Sequence, residues 1–558
     1  MAVSYSLRIF LVGMFAVFSF PNRASAQFSN LYQVQGQTQN ESFGTSMSRV
    51  GDVNGDGVSD FIVGSPYFAN GQGVVGRAQV LSGIDGNLLY ARVGADANAQ
   101  FGYAVSGVGD TNGDGTPDFA VGARFANGLE ASSGLVLVYS GADGAQLLSL
   151  PGSSSFDGFG SAIGRARDVN GDGFDDIIVG APKSDLGLPD GGCIAVHSGF
   201  DGAQIYLLFG QSDGAEFGSS VAGIGDANDD GFDDFLVGAP FSEMNGVQVG
   251  QVHLFSGATG VVARSMSGEA FGDRFGATLA NAGNVDRDGF HDFVVGAKGS
   301  DLGGLNAGRV QVFSGSTGLL LHDLVGGAIG QLMGTAVDGA GDVDRDGFDD
   351  IIVGAIGDGA NGSLAGLATV HSGRDGATLE TFLGTGPGAF LGQAVCGLGD
   401  VNGDGFFDVA MGAPGADVPA GNAGSIRVHV ARTTPFFVYE DMPGTTRLYL
   451  EWTPNGGDPN SLLGTMSCSE ATPGGLGQYA VSLSPASFLV FGTPVLIAND
   501  ALNLIDSGTL GFGFSGEIAV PNISRVAPQL AGLFVFVQFF ERMPFASSSN
   551  GVALLLTP

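Results

Sequence analysis

The residues best suited to chemistry are the acidic residues of DVNGDGVSD, residues 52–60. Asp52, Asn54 and Asp56 alternate along the chain, and a glycine follows where the backbone must turn sharply. Oxygen ligands in this alternation are typical of a calcium loop. A loop between two helices would also place a glutamate at its twelfth position, but that position is Val63. The sequence therefore predicts a calcium loop of another kind, closed by a different ligand.

Related nine-residue segments, which we call metal loops 1 to 7, begin at residues 52, 110, 168, 226, 284, 342 and 400, always 58 residues apart. The ninth position is Asp in all seven loops, so it can close the site. Side chains at positions one, three, five and nine, with the backbone carbonyl of position seven, offer five hard oxygens, and water can supply the rest. The loops therefore predict up to seven structural Ca²⁺ ions. The predicted ligands are Asp52, Asn54, Asp56, Asp60, Asp110, Asn112, Asp114, Asp118, Asp168, Asn170, Asp172, Asp176, Asp226, Asn228, Asp230, Asp234, Asn284, Asp286, Asp288, Asp292, Asp342, Asp344, Asp346, Asp350, Asp400, Asn402, Asp404 and Asp408.

Asp, Asn and Gly also form ordinary hairpin turns, which is the competing interpretation of any single loop. Every loop, however, carries at least three acidic residues at alternating positions. Carboxylates gathered in one loop repel each other unless a cation is present, so the complete set favours metal binding. Loop 5 begins with Asn284 in place of Asp, so its sequence leaves open whether an ion occupies this site.

The segments around each loop predict the elements that position it. A Phe-Gly pair or a variant precedes the loop, and a short apolar segment ending in Gly-Ala-Pro or a variant follows it. In the first unit we predict four strands, in FGTSMSRVG, DFIVGSP, GRAQVLSG and NLLYARVG, because β-branched and aromatic runs between glycines favour strands. Seven such units predict an all-β fold, a seven-bladed β-propeller with four-stranded blades. An open solenoid is the alternative, but equal units without atypical ends favour a closed ring.

At this point the chain resembles FG-GAP repeat proteins, a family that includes the seven-bladed propeller of integrin α subunits. The resemblance rests on Phe-Gly, the DxDxDG-type loop and Gly-Ala-Pro, and it covers roughly residues 28–432. It implies structural calcium on one rim of the ring and ligand contact through loops of the opposite rim. All seven units retain the metal loop, which is closer to bacterial secreted members. The departures from the motif are Met333 and Leu391 in place of Phe, and Arg124, Lys298 and Ile356 in place of Pro.

Loops at the two ends of the predicted strands differ in how much they vary. The metal loops and the turns between third and fourth strands share one edge of an antiparallel blade, which we call the metal rim, and they hardly change between units. The second loops and the loops between units share the other edge, the variable rim, and they differ strongly. Function is therefore expected at the variable rim. Five aromatic residues are placed there, and packing between blades is the alternative for each: Tyr67, Phe68, Phe125, Phe241 and Phe271.

The seventh unit lacks its own fourth strand, because residues 432–435 replace the expected turn. The segment SNLYQVQG, residues 29–36, lies 58 residues before the fourth strand of the first unit and matches it in register. We therefore predict that residues 29–36 pair with residues 425–431 and close the ring, which removes two exposed strand edges.

Composition limits the partners and indicates export. The formal net charge is −35, with 21 Lys and Arg, so neither nucleic acid nor an anionic membrane surface is an expected partner. Arg8, an apolar run at residues 9–20 and the small residues 24–26 predict a signal peptide at residues 1–26, with a buried element as the alternative. No later transmembrane segment is predicted, so the protein is expected to be secreted or at the cell surface. The odd count of three Cys leaves at least one thiol free.

Catalytic residues are not evident. His197, His371 and His429 occupy one repeat position, which Leu or an aromatic residue fills in the other units, so it is predicted to be a packing position. No nucleophile–histidine pair and no zinc spacing occurs.

The domains are predicted as a signal peptide (1–26), an FG-GAP propeller (27–434) and a C-terminal β-rich domain (435–558) resembling a small sandwich. The last has predicted strands in TRLYLEW, YAVSL, SFLVF, LFVFVQFF and GVALLLT, and surface attachment, sorting and glycan binding are alternative roles for it. We predict a calcium-binding adhesion or interaction module for an extracellular protein or glycan, rather than an enzyme. The alternatives are an extracellular hydrolase or polysaccharide lyase using carboxylates of the variable rim, and a purely structural envelope role.

Overall fold

The computed structural model describes residues 27–417 and 420–432, together with the backbone of five strands between residues 448 and 555. All regular elements of these residues are strands, and no helix occurs among them. The predicted signal peptide lies outside the described residues.

Seven antiparallel sheets of four strands form the blades of a propeller. The first strand of the chain, β1 (Gln27–Gln35), belongs to the last blade. Blade 1 contains β2 (Ser46–Gly51), β3 (Asp60–Ser65), β6 (Arg77–Leu81) and β7 (Leu88–Val93), with a small hairpin of β4 (Ala69–Asn70) and β5 (Gly73–Val74) in its second loop. Blade 2 contains β8 (Phe101–Gly109), β9 (Asp118–Ala123), β10 (Leu135–Tyr139) and β11 (Gln146–Pro151). Blade 3 contains β12 (Ala162–Arg167), β13 (Asp176–Ala181), β14 (Cys193–His197) and β15 (Gln204–Phe209).

The remaining blades repeat this order. Blade 4 contains β16 (Ser220–Gly225), β17 (Asp234–Ala239), β20 (Gln251–Phe255) and β21 (Val262–Ser267), with the hairpin β18 (Glu243–Met244) and β19 (Val247–Gln248) in its second loop. Blade 5 contains β22 (Thr278–Gly283), β23 (Asp292–Ala297), β24 (Arg309–Phe313) and β25 (Leu320–Val325). Blade 6 contains β26 (Met333–Gly341), β27 (Asp350–Ala355), β28 (Leu367–His371) and β29 (Thr378–Leu383). Blade 7 contains β30 (Ala394–Gly399), β31 (Asp408–Ala413), β32 (Ser425–Arg432) and β1.

The hydrophobic core lies between the blades. Every residue of each second strand is buried, because these strands are covered on both faces by neighbouring blades. The described residues form seven apolar clusters, one at each contact between adjacent blades. One of these joins blade 7 to blade 1, through residues such as Val428 and Phe61. The seven contacts confirm a closed ring and rule out the solenoid alternative.

Glycines of the repeated motifs permit this close packing. A Cβ atom on Gly64 of β3 would lie 2.0 Å from the carbonyl oxygen of Gly102, in the Phe-Gly pair of the next blade. Gly102 itself has a φ of +84°, which disfavours other residues. Phe101, next to it, is buried and forms a parallel bridge with Gly76 of the preceding blade. The motif glycines and Phe therefore serve contact between blades.

The ring closes as the sequence predicted. β1 pairs antiparallel with β32 from Gln27, opposite Arg432, to Gln35, opposite Ser425. The hydroxyl of Tyr32 donates to the carbonyl of Gly83 in blade 1 at 2.7 Å, so β1 also contacts the next blade.

Beyond residue 432 five strands are described by their backbone. β33 (Leu448–Pro454), β34 (Gly464–Glu470) and β35 (Tyr479–Ser482) form a three-stranded antiparallel sheet, and β36 (Phe534–Phe539) pairs with β37 (Asn550–Leu555). The predicted strand in SFLVF, residues 487–491, lies outside the described residues. The sandwich arrangement of residues 435–558 stays a prediction.

Candidate metal centres

Each metal loop lies in the hairpin between the first and second strands of a blade. In loop 1, β2 ends at Gly51, and β3 begins at Asp60, which faces Gly51 after a bulge. The first eight positions therefore form the turn, and the ninth opens the second strand. Val63, at the twelfth position, is fully buried in β3, so it packs in the core and is not a ligand.

The carboxylate at position one organises the turn by accepting hydrogen bonds from the backbone. In loop 1, Asp52 Oδ1 accepts from the amide of Gly55 at 2.7 Å, and Oδ2 accepts from the amide of Gly57 at 2.8 Å. Asn54 Oδ1 accepts from the amide of Asp56 at 2.9 Å. The bond to position six recurs in all six loops that begin with Asp. Side-chain oxygens of the predicted ligands therefore stabilise the turn by accepting hydrogen bonds from its backbone amides.

Asp at position nine ties each loop to the neighbouring turn. Asp60 is fully buried, and its Oδ2 accepts from the amide of Val53 at 3.0 Å. Its Oδ1 accepts from the amide of Gly83, after the third strand, at 3.1 Å. The same two bonds occur in the other six blades. Position nine therefore has a structural role in addition to its predicted role as a ligand.

Burial raises the pKa of the carboxyl groups at position nine. It raises the pKa of Asp176 to about 7, and those of Asp350 and Asp408 to about 8. Desolvation is the largest cause. Backbone hydrogen bonds oppose it, and the other carboxylates of the loop add to it. Charge at this position is unfavourable unless a cation compensates it, which a bound metal ion does.

Loops 5 and 6 bring three carboxylates together. In each loop the carboxylate oxygens lie within 4.8 Å of one another, and the two groups can hold a metal ion. The groups are Asp286, Asp288 and Asp292 in loop 5, and Asp342, Asp344 and Asp350 in loop 6. Both loops have Asp at position three, where the other five loops have Asn.

Loop 5 fits a metal ion although its first residue is Asn284. The Oδ1 atom of Asn284 is buried and has no hydrogen-bond partner in the described part of the chain. An oxygen-liganded cation would give this atom a partner. The residues of loop 5 therefore fit an ion.

Other loops use the Asn at position three differently. Asn170 Nδ2 donates to Asp172 Oδ2 at 2.9 Å, and Asn402 Nδ2 donates to Asp404 Oδ2 at 3.0 Å. Because a cation requires the amide oxygen rather than the NH₂ group, these side chains must reorient to become ligands. The structure thus brings acidic ligands together most fully in loops 5 and 6.

The sequence analysis did not predict a role for position four of the metal loop. Arg287 and Arg345 occupy it in loops 5 and 6, and each donates hydrogen bonds to the next metal loop. The available signal was the dipeptide Asp-Arg, which replaces Asn-Gly of loops 1, 2, 3 and 7.

The variable rim exposes part of its aromatic set. Tyr67, Phe125 and Phe271 are exposed, and Phe271 keeps 75% of its accessible surface. Phe68 and Phe241 are half-buried, and the guanidinium of an arginine lies over each ring. Three of the five aromatic side chains are therefore available at the surface, and two are partly covered. The sequence did not distinguish these two groups.

The repeated histidine position is a packing position, as predicted. Burial lowers the pKa values of His371 and His429 to about 4, so both side chains are neutral at pH 7. The rings of His429 and Phe382 lie 4.5 Å apart, and the ring of His197 meets Phe159 edge-on.

Comparison with known families agrees with this architecture. The FG-GAP repeat model matches residues 43–81, 101–139, 159–197, 217–255, 275–313 and 391–429. Each match begins at the Phe-Gly pair, or at its variant Leu391, and ends in the third strand of a blade. The chain carries an integrin-α-like FG-GAP propeller.

Blade 6 shows that the FG-GAP architecture tolerates changes in the motif. This blade is not among the matched segments, and it has Met333 for Phe and Ile356 for Pro. Met333 is nevertheless buried and forms the same parallel bridge, with Gly308, that Phe forms elsewhere. An apolar side chain of similar size thus maintains the contact between blades.

Curated relatives of the FG-GAP propeller are integrin α chains. Integrin alpha-V of Gallus gallus is 35% identical over 230 residues, which cover 38% of this chain and 21% of the relative. Integrin alpha-5 of Xenopus laevis is 32% identical over 228 residues, with the same coverage of 38% and 21%. The matched region thus spans about a fifth of the length of these relatives. These relatives are vertebrate proteins, and the bacterial type inferred from the seven metal loops stays a prediction.

No helix in the described part of the chain has the length and apolar character needed to cross a membrane.

Proposed function

We propose that this protein is an exported, calcium-stabilised propeller that acts as an adhesion or interaction module. Its ligand is an extracellular protein or glycan, which it contacts through the variable rim. The observation that carries the proposal is the difference between the two rims of the ring. One rim holds seven nearly equal metal loops, and the other presents loops that differ from blade to blade.

The path of the chain supports the variable rim as the binding surface. β1 starts beside the end of β32, with Gln27 opposite Arg432. The third strand of each blade runs towards the metal rim, and the fourth strand runs away from it. β1, as a fourth strand, therefore begins at the metal rim, and β32, as a third strand, ends there. Arg432, the last described residue of the ring, therefore lies at the metal rim, on the side of the ring away from the variable rim.

Exposed apolar side chains provide contact area on the variable rim. Phe271 of blade 4 and Ile329 of blade 5 occupy the same position in the loop to the next blade. Ile329 keeps 77% of its accessible surface. Exposed apolar groups in loops of variable sequence are typical of interaction surfaces.

Calcium is the proposed ion because the loops offer only oxygen ligands, and many of these are charged. Each site would use the side chains of positions one, three, five and nine and the carbonyl of position seven. The grouped carboxylates of loops 5 and 6 and the unpartnered Oδ1 atom of Asn284 support this assignment. The ion would supply positive charge that allows the buried carboxylates to ionise.

Export and surface association complete the proposal. Residues 1–26 would direct export as a signal peptide, residues 27–434 would form the propeller, and residues 435–558 would form a domain that can attach the protein to a surface. The function is proposed as binding without catalysis, and the packing of His197 and His429 against aromatic rings supports this.

Binding of the full chain to an array of extracellular matrix proteins and glycans tests the proposal. The variant Ile329→Ser on the variable rim should weaken binding of any captured ligand several-fold, because it removes exposed apolar contact area. The matched control is Leu319→Ser on the metal rim, where Leu319 keeps 67% of its surface. The control should bind as the unaltered protein does.

Two results would contradict the proposal. The first is equal loss of binding in both variants, since the variable rim would then have no special role. The second is turnover of a polysaccharide or phospholipid that is abolished by changing a carboxylate of the variable rim.

A further inference from the structure

Two arginines connect successive metal loops. Arg287, at position four of loop 5, donates from Nη2 to the carbonyl of Asp346 at 2.9 Å and from Nε to the carbonyl of Gly347. Its guanidinium lies 4.2 Å from the ring centroid of Phe348. These three residues are positions five, six and seven of loop 6. One side chain of loop 5 therefore holds the segment of loop 6 that contains two predicted ligands.

Arg345 repeats the arrangement between loops 6 and 7. Its Nε donates to the carbonyl of Gly405 at 2.7 Å, and its Nη2 donates to the carbonyl of Asp404 at 3.0 Å. Its guanidinium lies 4.1 Å from the ring centroid of Phe406. The same three positions of the receiving loop are contacted in both cases.

A second contact joins loops 5 and 6. The amide of Asn284, at position one of loop 5, donates to Oδ2 of Asp349 at 2.7 Å. The amide of Asp349, at position eight of loop 6, donates back to the carbonyl of Asn284 at 3.4 Å. The two loops are therefore linked at two places, through Arg287 and through Asn284.

Loops 2 and 3 lack this connection. Position four of loop 2 is Gly113, and a Cβ atom there would lie 2.9 Å from the ring of Phe174 in loop 3. The two loops are thus close together, but Gly113 has no side chain that could donate a hydrogen bond to loop 3. This pair is an internal control, because loop 3 has the same Phe at position seven as loops 6 and 7.

We propose that Arg287 and Arg345 couple metal binding along loops 5, 6 and 7. The proposal rests on the proposed metal function and extends it from independent sites to a cooperative series. Metal in loop 5 fixes positions three and five, which flank Arg287. A fixed arginine then holds the turn of loop 6 in its folded form, so less entropy is lost when the next ion binds.

Repulsion between a guanidinium and a nearby metal ion opposes this effect. Arg287 and Arg345 are exposed, so solvent and salt screen the repulsion. Asp also replaces Asn at position three in both loops, so the dipeptide Asp-Arg has the same formal charge as Asn-Gly. The arginines therefore add contacts to the next loop without adding net charge to their own.

Terbium luminescence can report metal binding to one loop in the full chain. Terbium is a probe for calcium sites, and a Trp at position seven places an absorbing ring beside the ion. The variant Phe348→Trp in loop 6 keeps an aromatic face for Arg287, and Trp452→Phe removes the single native Trp. Silencing loop 5 with Asp288→Asn should weaken terbium binding to loop 6 about tenfold. In an Arg287→Gly background the same silencing should change binding less than twofold.

The control uses Phe174→Trp in loop 3, with loop 2 silenced by Asp114→Asn, and its terbium affinity should not change. Reciprocity provides a second measurement, since silencing loop 6 must weaken a loop 5 reporter, Phe290→Trp, by the same factor. Equal loop 6 affinity with loop 5 intact and silenced would overturn the coupling while leaving metal binding intact. A tenfold loss that persists with Arg287→Gly would overturn the role of the arginine. Absence of terbium emission from every reporter would instead overturn the metal sites themselves.

Discussion

The closure of the ring can be tested at Phe28 of β1. Its ring meets that of Phe382 in β29 edge-on, with 5.4 Å between centroids, and it packs against the apolar cluster between blades 6 and 7. Truncation of a fully buried Phe to Ala lowers the free energy of unfolding by roughly 3–5 kcal/mol. Phe28 is only half-buried, so a smaller loss is expected. We therefore expect Phe28→Ala to lower the free energy of unfolding by about 2 kcal/mol.

Urea unfolding of the full chain in saturating calcium measures this loss. Asn30→Ala is the matched control, because Asn30 is an exposed residue of the same strand and its loss should cost less than about 0.5 kcal/mol. A double-mutant cycle with Phe382→Ala should give a coupling energy of about 1 kcal/mol. Unchanged stability in Phe28→Ala, or zero coupling to Phe382, would refute the placement of β1 as the fourth strand of blade 7.

Three further perturbations follow from the same geometry. Asp350→Asn leaves one of two buried backbone amides without its acceptor. Thermal unfolding should show that stability falls by about 1–3 kcal/mol. Unchanged stability would contradict the structural role of position nine. Tyr32→Phe and Tyr90→Phe should each lower stability by about 1 kcal/mol, because both hydroxyls donate a hydrogen bond to the next blade. A loss of stability in Tyr90→Phe alone would argue against closure of the ring. In chelator, the pKa of about 8 for Asp350 lies above its unfolded value of about 3.9, so the folded state holds the proton more tightly. Melting temperature without metal should therefore fall as pH rises from about 5 to 8, while calcium affinity rises over the same interval, and the opposite pH trends would contradict the pKa argument.

The repeat made most of the fold predictable. An exact spacing of 58 residues fixes the number of blades, and each strand of a blade can be aligned with its equivalents. The same alignment identified residues 29–36 as the missing strand, because a propeller blade needs four strands and blade 7 supplied three. Blade 6 was predicted despite Met333, since its other motif positions stay in register.

Contacts between loops of different blades could not be predicted in this way. Arg287 reaches Gly347 across 60 residues, and only the packing angle between blades decides whether such a side chain can reach the next loop. The meeting of three carboxylates in loop 6 likewise depends on side-chain orientation. Phe271 is exposed and Phe241 is half-buried because different neighbours cover the two rings, and the spacing of the repeat does not predict those neighbours.

Thermal unfolding of the full chain, in excess calcium and in excess chelator, tests the central claim most directly. Calcium bound only to the folded loops would stabilise the folded state, and one site at a calcium concentration of 100 times its Kd should add about 2.7 kcal/mol. The account predicts a melting temperature that falls substantially when calcium is removed and recovers when calcium is restored. Identical melting curves in calcium and in chelator would show that the seven loops are ordinary turns.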